Sequence, residues 1–285
     1  MIVSRLLGEG FAMCRLSGCL FALGVILADP VSAQGEKLRN VEQNALPDGG
    51  SSDEIIVKAL SLPRDKLPVN VRWAPVDNTQ INIAYERADT FLGCAFAKAS
   101  RDWLRKAVEG PPDFASTRYA QGMVIQTHWG CYPPPGDRPA WNPAEMGGSF
   151  LHRGILLERT LRQFAPDASL DAAQTFDPKV RARFRKVETE HNRYRQNPEM
   201  SGYIVAACLV QTQPVLATRL VRSQQGSDLE RGLEQAMLVN STECLEGVKK
   251  LSIEPTTLRL YLVDAFYRWV LTARNVSTLI PEQGV

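Results

Sequence analysis

Residues 203–247 read YIVAACLVQTQPVLATRLVRSQQGSDLERGLEQAMLVNSTECLEG, and their punctuation spells short helices. Positions 203–210 form an apolar helical stretch that carries Cys208. Pro214 suits a first helical turn, where its missing N–H has no partner to lose. Val215, Leu216, Leu220 and Val221 follow at helical spacing, and Gly226 ends that run. Ser227-Asp228-Leu229-Glu230 has the order of a capping box, serine at the cap and glutamate three later. Leu229, Leu233, Met237 and Leu238 supply the next apolar face, Cys244 closes it, and Gly247 follows as a stop. Pro255 then opens a helix over 256–274 with Leu258, Leu262, Ala265, Phe266 and Trp269 on one side.

The same plan occurs upstream. Cys94 and Cys131 are 37 residues apart, Cys208 and Cys244 are 36 apart. A shift of 114 lays Cys94 on Cys208 and Ala120-Gln121-Gly122-Met123 on Glu234-Gln235-Ala236-Met237. A one-residue gap after that brings Cys131 onto Cys244, and Trp141-Asn142-Pro143 meets Ile253-Glu254-Pro255 at a shift of 112. A self-similar period marks one supersecondary unit used twice. The first copy reads as a helix over 84–99, a second over 101–109 capped by Ser100, a break at Gly110-Pro111-Pro112, and a third helix over 115–129. A proline-rich loop around Gly136 has no counterpart in the second copy, and Asn142-Pro143-Ala144-Glu145 starts a fourth helix.

Four cysteines allow three pairings. The duplication selects Cys94–Cys131 and Cys208–Cys244, one bridge per copy. Chain entropy assigns a bridge closing a loop of this length roughly 3–4 kcal/mol. Between the copies, Asp177-Pro178 and Asn197-Pro198 bound a basic amphipathic helix. Phe176, Val180, Phe184, Val187 and Tyr194 recur at helical spacing, while Lys179, Arg181, Arg183, Arg185, Lys186, Arg193 and Arg195 face only Glu188 and Glu190.

The expected fold is therefore all-α: two helical repeats of about four short helices each, one disulfide per repeat, joined by a basic helix. Its boundaries are a signal peptide over 1–33, a largely disordered leader over 34–80, repeat 1 over 81–165, a linker with the basic helix over 166–199, repeat 2 over 200–275 and a tail over 276–285. Asp48-Gly49-Gly50-Ser51-Ser52-Asp53 gives the leader its flexible composition, and Ile55-Ile56-Val57 suits a single edge strand.

The amino terminus points to export. Residues 16–28, LSGCLFALGVILA, are uncharged and apolar behind Arg15, and Val31-Ser32-Ala33 has the small residues of a cleavage site. The 13-residue run is too short to cross a bilayer, which takes about 20 helical residues. Met13 is an alternative start. Leu16-Ser17-Gly18-Cys19 resembles a lipobox, but the apolar run follows the cysteine instead of preceding it, which makes a lipoprotein the lesser alternative. Cleavage at Ala33 removes Cys14 and Cys19 and leaves an even set of cysteines in an oxidising compartment, the periplasm. The net charge of +2 gives no push toward nucleic acid, and no later run reaches transmembrane length.

Ala206-Ala207-Cys208-Leu209-Val210, Ser227-Asp228-Leu229-Glu230, Glu243-Cys244-Leu245-Glu246-Gly247, Leu258-Arg259-Leu260 and Asp264-Ala265-Phe266-Tyr267-Arg268 together resemble exported, uncharacterised disulfide-bridged helical-repeat proteins of alphaproteobacteria, of the sphingomonad type. The resemblance covers about 70 residues well and the first copy loosely. It implies a periplasmic helical protein and brings no catalytic residues with it.

The residues give little chemistry. No GxSxG, HExxH, Walker or GxGxxG pattern occurs. His128 and Cys131 make an HxxC beside Cys94, a zinc-like or Cys–His arrangement, but the second copy has no histidine there. Glu188 and Glu190 read as exposed, and Glu86 and Glu158 are the carboxylates a glycan hydrolase would use. No cofactor and no metal site is expected, and the catalytic set is empty. Two candidate surfaces remain: the cations Lys179, Arg181, Arg183, Arg185, Lys186, Arg193 and Arg195, suited to anionic lipid or another polyanion, and an aromatic surface at Trp129, Tyr132 and Trp141. The sequence points to a non-catalytic envelope protein that binds an envelope protein or a polyanion, with peripheral membrane contact. The alternative is a periplasmic enzyme acting on cell-wall or glycan material.

Overall fold

The computed structural model describes residues 71–73, 79–131, 150–246 and 251–282, all within one compact unit, Gly49–Val285. The segment expected as a signal peptide, Ile55-Ile56-Val57, most of the expected leader, Tyr132, Trp141, Asn142–Glu145 and Gly247 lie outside the described residues.

The first copy comprises α1 (Thr79–Lys98), α2 (Arg101–Glu109), α3 (Ala115–Gln126), a 3-10 turn (Trp129–Cys131) and α4 (Phe150–Phe164). Two linker helices follow, α5 (Ala172–Thr175) and α6 (Pro178–Asn192). The second copy repeats the order: α7 (Asn197–Thr212), α8 (Pro214–Arg222), α9 (Asp228–Val239), a 3-10 turn (Thr242–Leu245) and α10 (Pro255–Arg274). Local signals act where the sequence places them. The Ser100 side chain accepts from the Trp103 N–H, the Ser227 side chain from the Glu230 N–H, and Gly226 takes a φ of +76°. Asp177 accepts from the N–H groups of Lys179 and Val180 at the start of α6. Disulfides join Cys94 to Cys131 and Cys208 to Cys244, tying the first helix of each copy to the turn after its third.

Helices dominate, but one strand pair was not expected. β1 (Val71–Trp73) and β2 (Leu251–Ile253) pair in parallel, Val71 opposite Leu251 and Trp73 opposite Ile253. The pair sets residues 71–73 beside the chain that enters α10.

The internal register also differs from the sequence match. α2 and α8 are both nine residues long, and α3 and α9 are both 12. At a shift of 113, buried Leu104, Ala107 and Val108 fall on buried Ala217, Leu220 and Val221. Thr117, Ala120, Gln121, Val124 and Ile125 fall on Glu230, Leu233, Glu234, Met237 and Leu238, again all buried. The gap thus lies before the second helix and not after the third, because burial, and not a shared Gln-x-Met, sets which positions correspond. In the fourth helices a shift of 106 lays Arg153 on Arg259 and Glu158 on Asp264, all four buried.

The copies meet reciprocally. Arg153 of the first pairs with Asp264 of the second, and Arg259 of the second pairs with Glu158 of the first. Each fourth helix is followed by a non-helical strap that lies on the other copy's second helix. Leu170 exchanges hydrogen bonds with Thr218 on α8, and the Ile280 carbonyl accepts from Arg105 on α2. Reciprocal contacts of this kind mark an approximate two-fold relation. α4 and α10 press together near the middle of that relation: a Cβ on Gly154 would stand 2.5 Å from Leu260 Cδ2 and 2.9 Å from its Cβ, so only glycine admits the close approach.

Candidate functional site

The polar residues that the sequence left among apolar helices form two buried ionic clusters, one at each end of the α4–α10 contact. In the first, Arg259 is fully buried. Its Nε donates to Glu158 at 2.6 Å, and its Nη atoms donate to the carbonyls of Leu220 and Ser223 at the end of α8. A guanidinium there closes the helix C-terminus and meets the negative end of its dipole. Glu158 also accepts from the Tyr85 hydroxyl and from Arg162 at 3.3 Å. Glu230 stands 3.5 Å from Arg259 and accepts the Gly226 N–H. Glu234 is buried one turn further along α9, with neither carboxylate oxygen hydrogen-bonded. Burial pushes its carboxyl well above the ordinary value, and the neighbouring Glu230 adds to the rise. Its counterpart in the first copy is Gln121, which donates an amide hydrogen to the Ala107 carbonyl. A neutral side chain suits both positions.

The second cluster inverts the charges. Asp264 lies 3.4 Å from Arg153, 2.7 Å from Arg195 and 3.9 Å from Arg268. Burial alone would raise its carboxyl, but Arg195, Arg153 and Arg268 hold it well below the usual carboxylate range. Arg153 and Arg268 both reach the carbonyls of Val108 and Gly110, closing α2 as Arg259 closes α8. Arg195 covers the Tyr203 ring at 3.5 Å, and the Tyr203 hydroxyl donates to Glu188. Burial raises the Glu188 carboxyl and lowers the His191 imidazole to about 3. Burial also pushes Glu199, in the first turn of α7, up to about 7, with Asp113 of the first copy adding to the rise.

The basic helix divides. Lys179, Arg185, Lys186 and Arg193 are exposed, Arg193 pairing with Glu190 at 3.6 Å. Arg183 is half-buried and donates to the Thr272 carbonyl at 3.0 Å, and Arg181 is half-buried as well. Arg195 is withdrawn into the Asp264 cluster, so it does not belong to the exposed set. The buried row is Val180, Phe184 and Glu188, with Phe184 stacked on Trp269 of α10 at 3.9 Å. Val187, read as an apolar-face residue, is exposed because that row follows i, i+4, i+8 toward α10, and Tyr194, also exposed, lies past the end of α6, which stops at Asn192. Glu188 is correspondingly buried and not exposed. Leu229 is exposed for the same kind of reason: Glu230, Leu233 and Glu234 take the inner side of α9.

Trp129 is half-exposed on the 3-10 turn. Tyr132 and Trp141 fall outside the described residues. The disulfide engages both Cys94 and Cys131, which leaves His128 without a thiolate partner for zinc or nucleophilic chemistry; its Nδ1 lies 2.7 Å from the Val124 carbonyl. Among the described residues no group of three or more His, Cys, Asp or Glu could hold a metal ion. Glu86 is exposed on α1, and Glu158 is buried and multiply bonded, so the two do not form a pair. Among the described residues no single helix is long and apolar enough to cross a membrane.

Sequence reasoning passed over Arg153, Glu230, Glu234, Arg259, Asp264 and Arg268. The available signal was an arginine followed five residues later by an acid in both fourth helices. Comparison with protein-family models, curated proteins and solved structures finds no match.

Proposed function

We propose that this chain is an exported, non-catalytic helical-repeat protein of the bacterial envelope, and that it works by binding. The observation that carries the reading is the pair of disulfides, each closed within one copy, Cys94–Cys131 and Cys208–Cys244. Such bridges persist in oxidising compartments. The buried arginines add support, because Arg195 and Arg259 are paired with Asp264 and Glu158 and Arg259 and Arg268 bond the carbonyls at helix ends. Intact-mass measurement and thiol counting on protein recovered from the periplasm test the export reading. The expected molecule begins at Gln34 and has no free thiol. Cytoplasmic retention with six reduced cysteines, or a lipidated Cys19 terminus, refutes it.

A polyanion is the ligand class favoured by the exposed cations of α6, Lys179, Arg185 and Lys186, and by Arg193 just past its end. Co-sedimentation with anionic vesicles at low and high salt tests it. Binding should weaken with salt and be lost when these four are changed to glutamate. Binding that persists in that variant ends the polyanion reading.

A further inference from the structure

In each copy the turn between the second and third helices touches the first helix of the other copy, and the two seams are built differently. The turn of the second copy holds Gln225 and Gly226. The Gln225 amide donates to Asn82 of α1 at 3.3 Å and to Thr256 of α10 at 3.0 Å, and the Thr256 hydroxyl donates to the same Asn82 oxygen at 2.6 Å. These three side chains are neutral at any ordinary pH. In the first copy the shift of 113 places Asp113 where the second copy has Gly226. Both residues take the left-handed backbone, with φ +58° at Asp113 and +76° at Gly226. Glycine enters that region freely, whereas an aspartate enters it at a cost. The turn therefore needs no aspartate for its own geometry, and the carboxylate is explained by what it meets.

It meets Glu199, in the first turn of α7, within hydrogen-bonding reach. Two carboxylates in contact repel, and one proton held between them turns the repulsion into a hydrogen bond. Among the described residues no N–H or O–H donates to the buried Asp113 Oδ2, which leaves that proton as its donor. The other charged and titratable groups that face Glu199 are Arg195, from the turn after α6, and Asp264 and Tyr261 of α10. Arg195 is committed elsewhere: it donates to Asp264 at 2.7 Å and to Asn192 at 3.0 Å. Burial pushes the Tyr261 hydroxyl up to about 12, so it keeps its proton. The start of α7 favours an anion, but burial and Asp113 outweigh it and raise the Glu199 carboxyl to about 7. Next to the acid pair, Phe114 packs on Tyr194 with ring centroids 4.6 Å apart, so the acid pair and the ring pair join the same two segments.

We propose that Asp113 and Glu199 form a proton-dependent latch between the copies: one proton shared by their carboxyl groups holds the turn over 111–114 on the start of α7, and its loss to solvent frees the turn and parts Phe114 from Tyr194. The neutral seam of Gln225, Asn82 and Thr256 has no proton to lose and stays closed. The device is independent of the polyanion reading above.

The test follows the Glu199 carboxyl of the full-length chain by carbon NMR through pH, together with amide hydrogen exchange corrected for its intrinsic pH dependence. The carboxyl should titrate near 7, and protection of the amides over 113–118 should fall about tenfold between about pH 6 and about pH 8.5 with the same midpoint, while the amides over 226–231 keep theirs. Glu199→Gln offers Asp113 an amide donor that does not titrate, and Asp113→Asn offers Glu199 one while accepting the left-handed backbone. Either variant should hold the turn closed across that range, and Asp113→Asn should return the Glu199 carboxyl toward the ordinary glutamate value. A Glu199 carboxyl that titrates with ordinary glutamates overturns the proposal. So does one that titrates near 7 while the amides of the turn keep their protection, because the acid is then shifted without moving anything. Opening that persists in Glu199→Gln belongs to another group and overturns it as well. If neither variant folds, the two wild-type measurements decide.

Discussion

Around Arg259 three glutamates, Glu158, Glu230 and Glu234, face one buried cation, whereas around Asp264 three arginines, Arg153, Arg195 and Arg268, converge on one buried carboxylate, with Glu109 3.9 Å from Arg268 and Glu188 at the margin. The central residues sit on the same helix α10, and their ion-pair partners Glu158 and Arg153 sit on α4, related by the same approximate two-fold. The difference lies in what each cluster can do about an imbalance. A buried carboxylate in excess takes up a proton and becomes neutral, and Glu234 is placed to do so. A guanidinium stays charged at any ordinary pH, so excess arginines need a fixed anion and carbonyl acceptors. The acid-rich cluster is adjustable, and the arginine-rich cluster depends on Asp264.

That contrast breaks most sharply at Asp264. Asp264→Ala leaves three buried guanidiniums around an empty place and should cost about 5 kcal/mol, the upper end for removing one partner of a buried pair. Urea denaturation should show a loss that acid does not repair. Arg259→Met should cost about 3 kcal/mol at pH 7. Here the deficit should shrink as pH falls toward about 4.5, because the stranded glutamates can be protonated. Equal pH dependence in the two variants would erase the distinction between the clusters.

Histidines set the acid limit. Burial lowers His152 to about 4 and His191 to about 3, so both stay neutral in the folded chain while the unfolded chain takes up protons below about pH 6.5. Their contribution is therefore present above pH 6.5 and lost as pH falls toward 4, on the order of 1–3 kcal/mol. His152→Gln should flatten that fall in the urea midpoint. The smallest effect is at Glu234. Its folded pKa is raised, so the unfolded state releases its proton first, and stability drops as pH rises through the ordinary glutamate range toward the folded value. Glu234→Gln installs the residue that the first copy already uses at Gln121, and it should stabilise the chain by about 1 kcal/mol at pH 7. A loss of stability in this variant would mean that the carboxylate itself is needed.

Local chemistry made much of the architecture legible. Ser100, Pro214, Gly226 and Asp177-Pro178 act on their own neighbours within one or two turns, so the starts of α2, α6 and α8 and the end of the α8–α9 connection follow from the residues alone. The duplication did the same for the cysteines, since two equal spacings leave one symmetrical pairing, Cys94–Cys131 and Cys208–Cys244. What the sequence could not supply was which side of each helix has a neighbour. Glu188, Glu230 and Glu234 are charged and yet buried, Val187 and Leu229 are apolar and yet exposed, because α10 and its flanking helices cover one face and leave the next open. The same holds for the reciprocal straps, the ion pairs that cross between the two copies and the strand pair, all of which join residues about 50 to 180 positions apart. Helix caps and disulfide spacing are properties of a short stretch of chain. Charge pairing across the two copies is a property of their packing, and it exists only once both fourth helices are in contact.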